Sequence, residues 1–222
     1  MQGLDFSIVL KYSGALLKGL ILTLELTIVC GLASVLFGFL IGIGRKSKSR
    51  PIRWICSLYV EVLRGTPVLI TLFWVFFCFP IIFDVEFGPV TSSIIALTLY
   101  TSAITSESFR SALGSIGQDQ HDACQALGLS PFAKMVYVVA PQTIVRAIPN
   151  LMSNLVSLFK ESALVSAVGV AELMYTAQNI SNVTARPVEV LTTAALVYFV
   201  IGWSLTRLVN AAESRLLVKM AV

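Results

Sequence analysis

The chain has 222 residues, of which 56% are hydrophobic and only 13% charged, and its mean hydropathy is +0.85. A water-soluble domain of this size cannot cover so much apolar side chain, whereas a bilayer solvates it, so composition excludes a soluble globule and gives an all-α integral membrane protein. The net charge of +4 says less than the distribution of the basic residues along the chain.

The first apolar run, Leu20 to Gly44, extends for about 26 residues, too long for a signal-peptide core, and is expected to stay in the mature protein. Glu25 interrupts it, and Gly38 and Gly42 close it in a GxxxG spacing. That spacing permits close helix approach, or reflects no more than the frequency of glycine in membrane helices. The basic stretch Arg45 to Arg53 follows. A second span lies within Trp54 to Phe83, its first half broken by Glu61, Arg64 and Pro67, and the acidic turn Asp84 to Pro89 leads to a third span, Val90 to Leu113. After a connection of about 28 residues, long enough to imply a task, a fourth span starts near Thr143 and is broken at Lys160-Glu161. The fifth is Val188 to Leu208.

Five spans place the termini on opposite sides. With the 45–53 loop in the cytoplasm, Arg45, Lys46, Lys48, Arg50, Arg53, Arg110, Lys134, Arg146, Arg207, Arg215 and Lys219 are inside. Lys11, Lys18 and Arg186 are outside, and Arg64 and Lys160 stay in the membrane. The excess of cytoplasmic Lys and Arg sets the N-terminus outside, the C-terminus in the cytoplasm and the 114–142 connection in the cytoplasm.

Within that connection, "DQHDACQAL" suits a short helix stopped by Gly128. Ser130 fits an N-cap and Pro131 the first helical position of a second helix that runs to Pro141. The expected product is a helix–turn–helix with a polar knuckle facing the cytosol; the plainer alternative is an interfacial loop.

The four cysteines contain no CxxC pair and a lone His121 cannot complete a metal site, so neither a disulfide framework nor a metal is expected. No GxxxxGK[ST] phosphate loop is present, so this chain is not expected to hydrolyse ATP.

Asp122-Ala123-Cys124-Gln125-Ala126-Leu127-Gly128 resembles the EAA loop of ABC-importer permeases. Three further segments resemble the polar amino-acid branch of that family, the histidine-, glutamine- and arginine-type permeases. They are "YVEVLRGTP" with Glu61, Arg64, Gly65, Thr66 and Pro67, "ESFRSAL" leading into the loop, and "APQTIVRAIPNLMSNLVSLFKESAL". The resemblance covers about residues 16–210, taken as the transmembrane domain between an external segment 1–15 and a cytoplasmic tail 211–222. The departures are Asp122 for the usual glutamate, Cys124 for the second alanine, Asp119 for the glycine before Gln120 and Ala163 for a signature serine.

The resemblance implies a multi-pass subunit of a bacterial cytoplasmic (inner) membrane and a transport role without covalent chemistry. Two permease subunits, identical or paralogous, would form the pathway. Separate ATPase subunits would bind ATP and Mg, and an extracytoplasmic binding protein would deliver a polar amino acid. Gln120, Asp122, Ala123 and Gly128 would belong to the loop that couples to the ATPase, and nucleic acid has no part. The alternative is a self-sufficient channel or ion-coupled secondary carrier with a merely interfacial loop.

Ionisable groups at membrane depth cost roughly 2.5–3.5 kcal/mol each and usually face a bundle interior or water. Glu61 with Arg64, and Glu107 with Arg110, can share helix faces and stitch helices together as structural pairs. Lys160-Glu161 divides an apolar stretch of roughly 33 residues, which as one helix would rise about 50 Å, so a bend is expected, with Ser162 satisfying freed backbone groups. By analogy with broken helices in carriers, Glu161 and Ser162 line the pathway with Thr66 nearby; the competing reading is a structural lysine–glutamate pair. Glu25 and Glu172 are assigned to the outer boundary, where snorkelling suffices.

Overall fold

A computed structural model describes residues 4–220, and every regular element among them is helical. A short helix α1 (Ser7–Lys11) precedes α2 (Ser13–Gly44), whose 32 residues rise about 48 Å, more than a bilayer core requires. Next come α3 (Arg50–Gly65), α4 (Val68–Phe83) and α5 (Pro89–Gly114). The chain ends with α6 (Gln118–Ala126), α7 (Pro131–Val168), α8 (Leu173–Thr184) and α9 (Pro187–Met220).

α2, α7 and the Pro187–Ala211 part of α9 are long and apolar enough to cross a membrane, and α3 and α4 pass together across a bend of 109°. α5 has the length, 26 residues, but a buried face rich in serine and threonine. Such small hydroxyl residues pack helices closely within a membrane bundle, and α5 occupies its centre between α2, α4 and α7.

One face of α2 is nearly all small: Gly19, Thr23, Thr27, Gly31, Ser34, Gly38 and Gly42 are buried. A methyl on Gly38 would lie 2.7 Å from Thr105 Cγ2 of α5 and one on Gly42 3.1 Å from Phe109 Cβ, so this GxxxG pair marks a close crossing. Cys30 meets Ile94, Ser34 meets Thr98 and Gly38 meets Thr105. The paired numbers rise together, so α2 and α5 run parallel. On α7 they fall: Asn154 donates to Ser108 Oγ at 3.1 Å, and Val139 packs on Leu113. α7 is therefore antiparallel to α5.

The bend between α3 and α4 has a local cause. Pro67 disfavours a helical conformation at the residue before it, and Thr66 is extended at φ −109°, ψ 142°. Thr66 Oγ1 donates back to the Val62 carbonyl at 3.0 Å, covering a carbonyl left open at the helix end.

Three expectations change. The fourth span does not begin near Thr143, because the helix starts at Pro131 and runs through Pro141 and Pro149. No break occurs at Lys160-Glu161. The α-helix tightens to a 3₁₀ turn over Ser162–Val168 and stops at Gly169, φ +85°. The helix α8 that follows was not expected. At the termini, α2 begins within the expected external segment and α9 continues through the expected tail to Met220; residues 1–3 and 221–222 lie outside the described residues.

Candidate functional site

At the end of the bundle where α5 stops, the chain builds a compact knuckle. Gly117 N-caps α6, and two hydrogen bonds close its other end: Gly128 N–H to the Gln125 carbonyl and Leu129 N–H to the Cys124 carbonyl, both 3.0 Å. This is a Schellman turn, and it needs a left-handed residue after the helix; Gly128 supplies φ +66°. Ser130 Oγ then accepts from Ala133 N–H at 3.2 Å and Pro131 opens α7. The local signals therefore mark both ends of the turn where the sequence analysis placed them.

The knuckle is braced from behind. Cys124 is 3% exposed, so the residue replacing a second alanine faces inward. Gln142 donates to Gln120 Oε1 at 3.2 Å, and Arg146 reaches the Ser115 carbonyl and its Oγ, a cation at the C-terminal end of α5 where the helix dipole favours it. Asp122 is exposed and accepts from Gln118 at 2.9 Å, and Ala123 and Gly128 are exposed beside it. Sequence reasoning missed the apolar tip: Leu127, Phe132 and Tyr137 are each at least 75% exposed. Their spacing on either side of Gly128 was the available signal.

The charged residues of the membrane region divide differently from the expected pairs. Glu107 gathers three arginines: Arg45 and Arg110 in direct contact and Arg64 at 3.7 Å. The Glu107–Arg110 pair forms, whereas Arg64 turns to Glu107 and Glu61 is exposed without an ion pair among the described residues. Tyr100 stands on the same helix within electrostatic reach of Arg64 and Glu161.

The three candidate pathway residues differ in access. Glu161 is half-buried with no hydrogen bond or ion pair among the described residues; its neighbour Lys160 is exposed and makes no ion pair with it. Thr66 sits at the α3–α4 bend, 3.5 Å from Thr71 Oγ1. Ser162 is fully buried and donates to the Phe159 carbonyl at 2.8 Å, so it offers no free hydroxyl to a solute in this conformation.

Glu172 corrects an assignment. It is fully buried instead of snorkelling at a boundary. Its Oε1 caps α8 through Tyr175 N–H at 2.8 Å, while Oε2 accepts from Tyr198 at 2.7 Å and Thr23 at 3.2 Å. One carboxylate thus joins α2, α8 and α9.

Residues 34–218 match the family described as "Binding-protein-dependent transport system inner membrane component". The chain belongs to that family. The arginine transport system permease protein ArtQ of Bacillus subtilis is 31% identical over 216 residues, covering 97% of this chain and 98% of ArtQ. The L-cystine transport system permease protein TcyB of the same organism is 34% identical over 199 residues, covering 89% of this chain and 85% of TcyB. Among solved structures, one described as an amino acid ABC transporter with histidines aligns with a TM-score of 0.90 at 33% identity, over 96% of this chain and 100% of the other. The self-sufficient carrier reading is therefore set aside.

Proposed function

We propose that this chain is the permease subunit of an ATP-driven, binding-protein-dependent importer of a polar amino acid, and that its knuckle receives work from a separate ATPase. The observation that carries this reading is the tip itself. Leu127 stands almost bare on a turn fixed by two backbone hydrogen bonds, and Phe132 and Tyr137 are as bare on the first turns of α7 that follow it. Exposed apolar side chains on a rigid support are what a partner groove can grip and push.

The same reading makes α2, the α3–α4 pair, α5, α7 and α9 five crossings, with the N-terminus outside and the C-terminus in the cytoplasm. The alternating helix directions support the count, and the basic residues around the knuckle support the orientation. A second permease subunit would complete the pathway, into which Glu161 and Thr66 project, with Ser162 joining them only if the 3₁₀ turn rearranges. Glu161 would meet an ammonium or guanidinium group of the solute. ATP and Mg would be held by the partner ATPase and the amino acid handed over by an extracytoplasmic binding protein. The membrane would be a bacterial inner membrane.

The test is ATPase activity of the chain assembled with its ATPase in nanodiscs, with binding protein and a panel of amino acids. Wild type should show stimulation by loaded binding protein. Phe132→Asp, a change at an exposed site that leaves the bundle intact, should abolish it. Equal stimulation in both proteins would remove the knuckle from the coupling path.

A further inference from the structure

A second feature lies behind the knuckle and shares Gly128 with the coupling turn. Between the turn that follows α2 and the inner side of the α6–α7 hairpin lies a cleft of about 680 Å³. Its floor is apolar, formed by Leu113 of α5 and Met135 and Val139 of α7. Its walls bring Lys46, Lys48 and Lys134 together with His121. None of these lysines makes an ion pair among the described residues. The acidic residues of α6 do not line the space: Asp119 and Asp122 are absent from its walls, and Asp122 is engaged by Gln118.

Cations gathered without a counter-charge repel one another and lose hydration together. Lys46, although exposed, registers both effects: partial desolvation, and then the charge of Arg110, push its ammonium below the ordinary lysine range. His121 adds a buried Nδ1 with no hydrogen-bond partner. An anion entering the cleft would relieve all of these groups at once.

We propose that this cleft binds the headgroup of an anionic phospholipid, with the phosphate held by Lys46, Lys48 and Lys134 and an acyl chain laid against Leu113, Met135 and Val139. The floor selects between sources of phosphate. A free inorganic ion gains nothing from three apolar side chains, whereas a lipid buries them. Position agrees, because Lys46 comes two residues after α2 ends at Gly44, where an apolar helix emerges at headgroup level. Basic pockets at that depth between helices suit anionic headgroups. The proposal rests on the membrane placement above but not on the ATPase coupling, so either can fail alone.

The experiment is native mass spectrometry of the delipidated full-length chain titrated with phosphatidylglycerol. Phosphatidylcholine and inorganic phosphate serve as separate arms. One phosphatidylglycerol should bind with clear preference over phosphatidylcholine. Each of Lys46→Gln, Lys48→Gln and Lys134→Gln should weaken it by about fivefold. Arg50→Gln, in the same basic loop but outside the cleft, should leave binding within about twofold, since only charges near the headgroup count. Single substitutions at solvent-reachable lysines keep the test independent of folding. Displacement of the lipid by millimolar phosphate, or an equal loss in Arg50→Gln, would overturn the site.

Discussion

Glu172 is completely buried and its carboxylate takes three donors, from Tyr175 N–H, Thr23 and Tyr198, while Glu161 is half-buried and takes none among the described residues. Removing a satisfied buried acceptor leaves its donors stranded. Glu172→Ala forfeits a helix cap and orphans the Tyr198 hydroxyl, while Thr23 keeps the Gly19 carbonyl as acceptor at 3.0 Å, at about 2–4 kcal/mol in total. For a chain of this length that lowers the unfolding midpoint in detergent by roughly 10 °C. Glu161→Gln has no such network to break. Its midpoint should stay within about 2 °C, while the amino-acid concentration for half-maximal uptake rises about tenfold through loss of a charged hydrogen bond. Unchanged uptake in Glu161→Gln at normal expression would take Glu161 out of the pathway. The contrast between these two residues was invisible in the sequence, where each is a single carboxylate in an apolar run. What separates them is contact with residues 149 and 26 positions away. Gly128, Ser130 and Pro131 were legible because caps and turns are satisfied by near neighbours.

Elements were read well where a breaker acts locally and poorly where a helix adapts. Pro67 bends the chain by 109° as expected of a residue that denies helix to its predecessor. Pro80 and Pro141 do not end their helices. Each is preceded by a π-helical turn, Trp74–Cys78 and Met135–Val139, centred on the residue four positions before the proline. The widened turn takes the i−4 carbonyl away from the ring and absorbs the missing hydrogen bond, so α7 stays continuous from the knuckle into the bundle. Under the proposed coupling, this continuous helix would act as a lever with the Gly128 turn at its tip. An added Cβ at Gly128 meets nothing within 4 Å, so any effect of substitution comes from backbone conformation alone. Gly128→Val should cost at least about 1 kcal/mol, because a β-branched residue resists φ > 0. Gly128→Asn should cost less, since asparagine tolerates that region. Coupled ATPase activity should accordingly rank wild type, then Asn, then Val. Equal activity in all three would mean that the turn does not transmit force.

At the scale of the whole molecule, the span that hydropathy marks most weakly is α5, read from the sequence as Val90 to Leu113 but rich in serine and threonine. A helix surrounded by α2, α4 and α7 has little lipid to satisfy, and small hydroxyl residues let its neighbours close on it. Direction supplies what hydropathy lacks. α2 and α5 run parallel, so on the proposed five-crossing reading the chain returns across the membrane between them through the bent α3–α4 pair. Its contacts trace that return: Cys56 lies beside Gly44 near the end of α2, while Leu72 and Val75 pack with Leu26 and Cys30 further up. α7 then runs back against α5, and α9 begins beside the first turns of α2, where Val190 and Ala194 share a cluster with Leu16. Parity follows. In a protein freed of Cys30, Cys56, Cys78 and Cys124, single cysteines at Leu4, Glu86 and Ala185, all exposed, should react with an impermeant maleimide from outside. Cysteines at Lys48, Leu127 and Asn210, also exposed, should react only in inverted vesicles. If Lys48→Cys and Glu86→Cys label from one side, α3–α4 is a re-entrant loop, and α5 would have to enter from the face at which α2 leaves. The parallel packing of Gly38 and Gly42 against Thr105 and Phe109 argues against that arrangement, so this pair of sites tests the proposed topology.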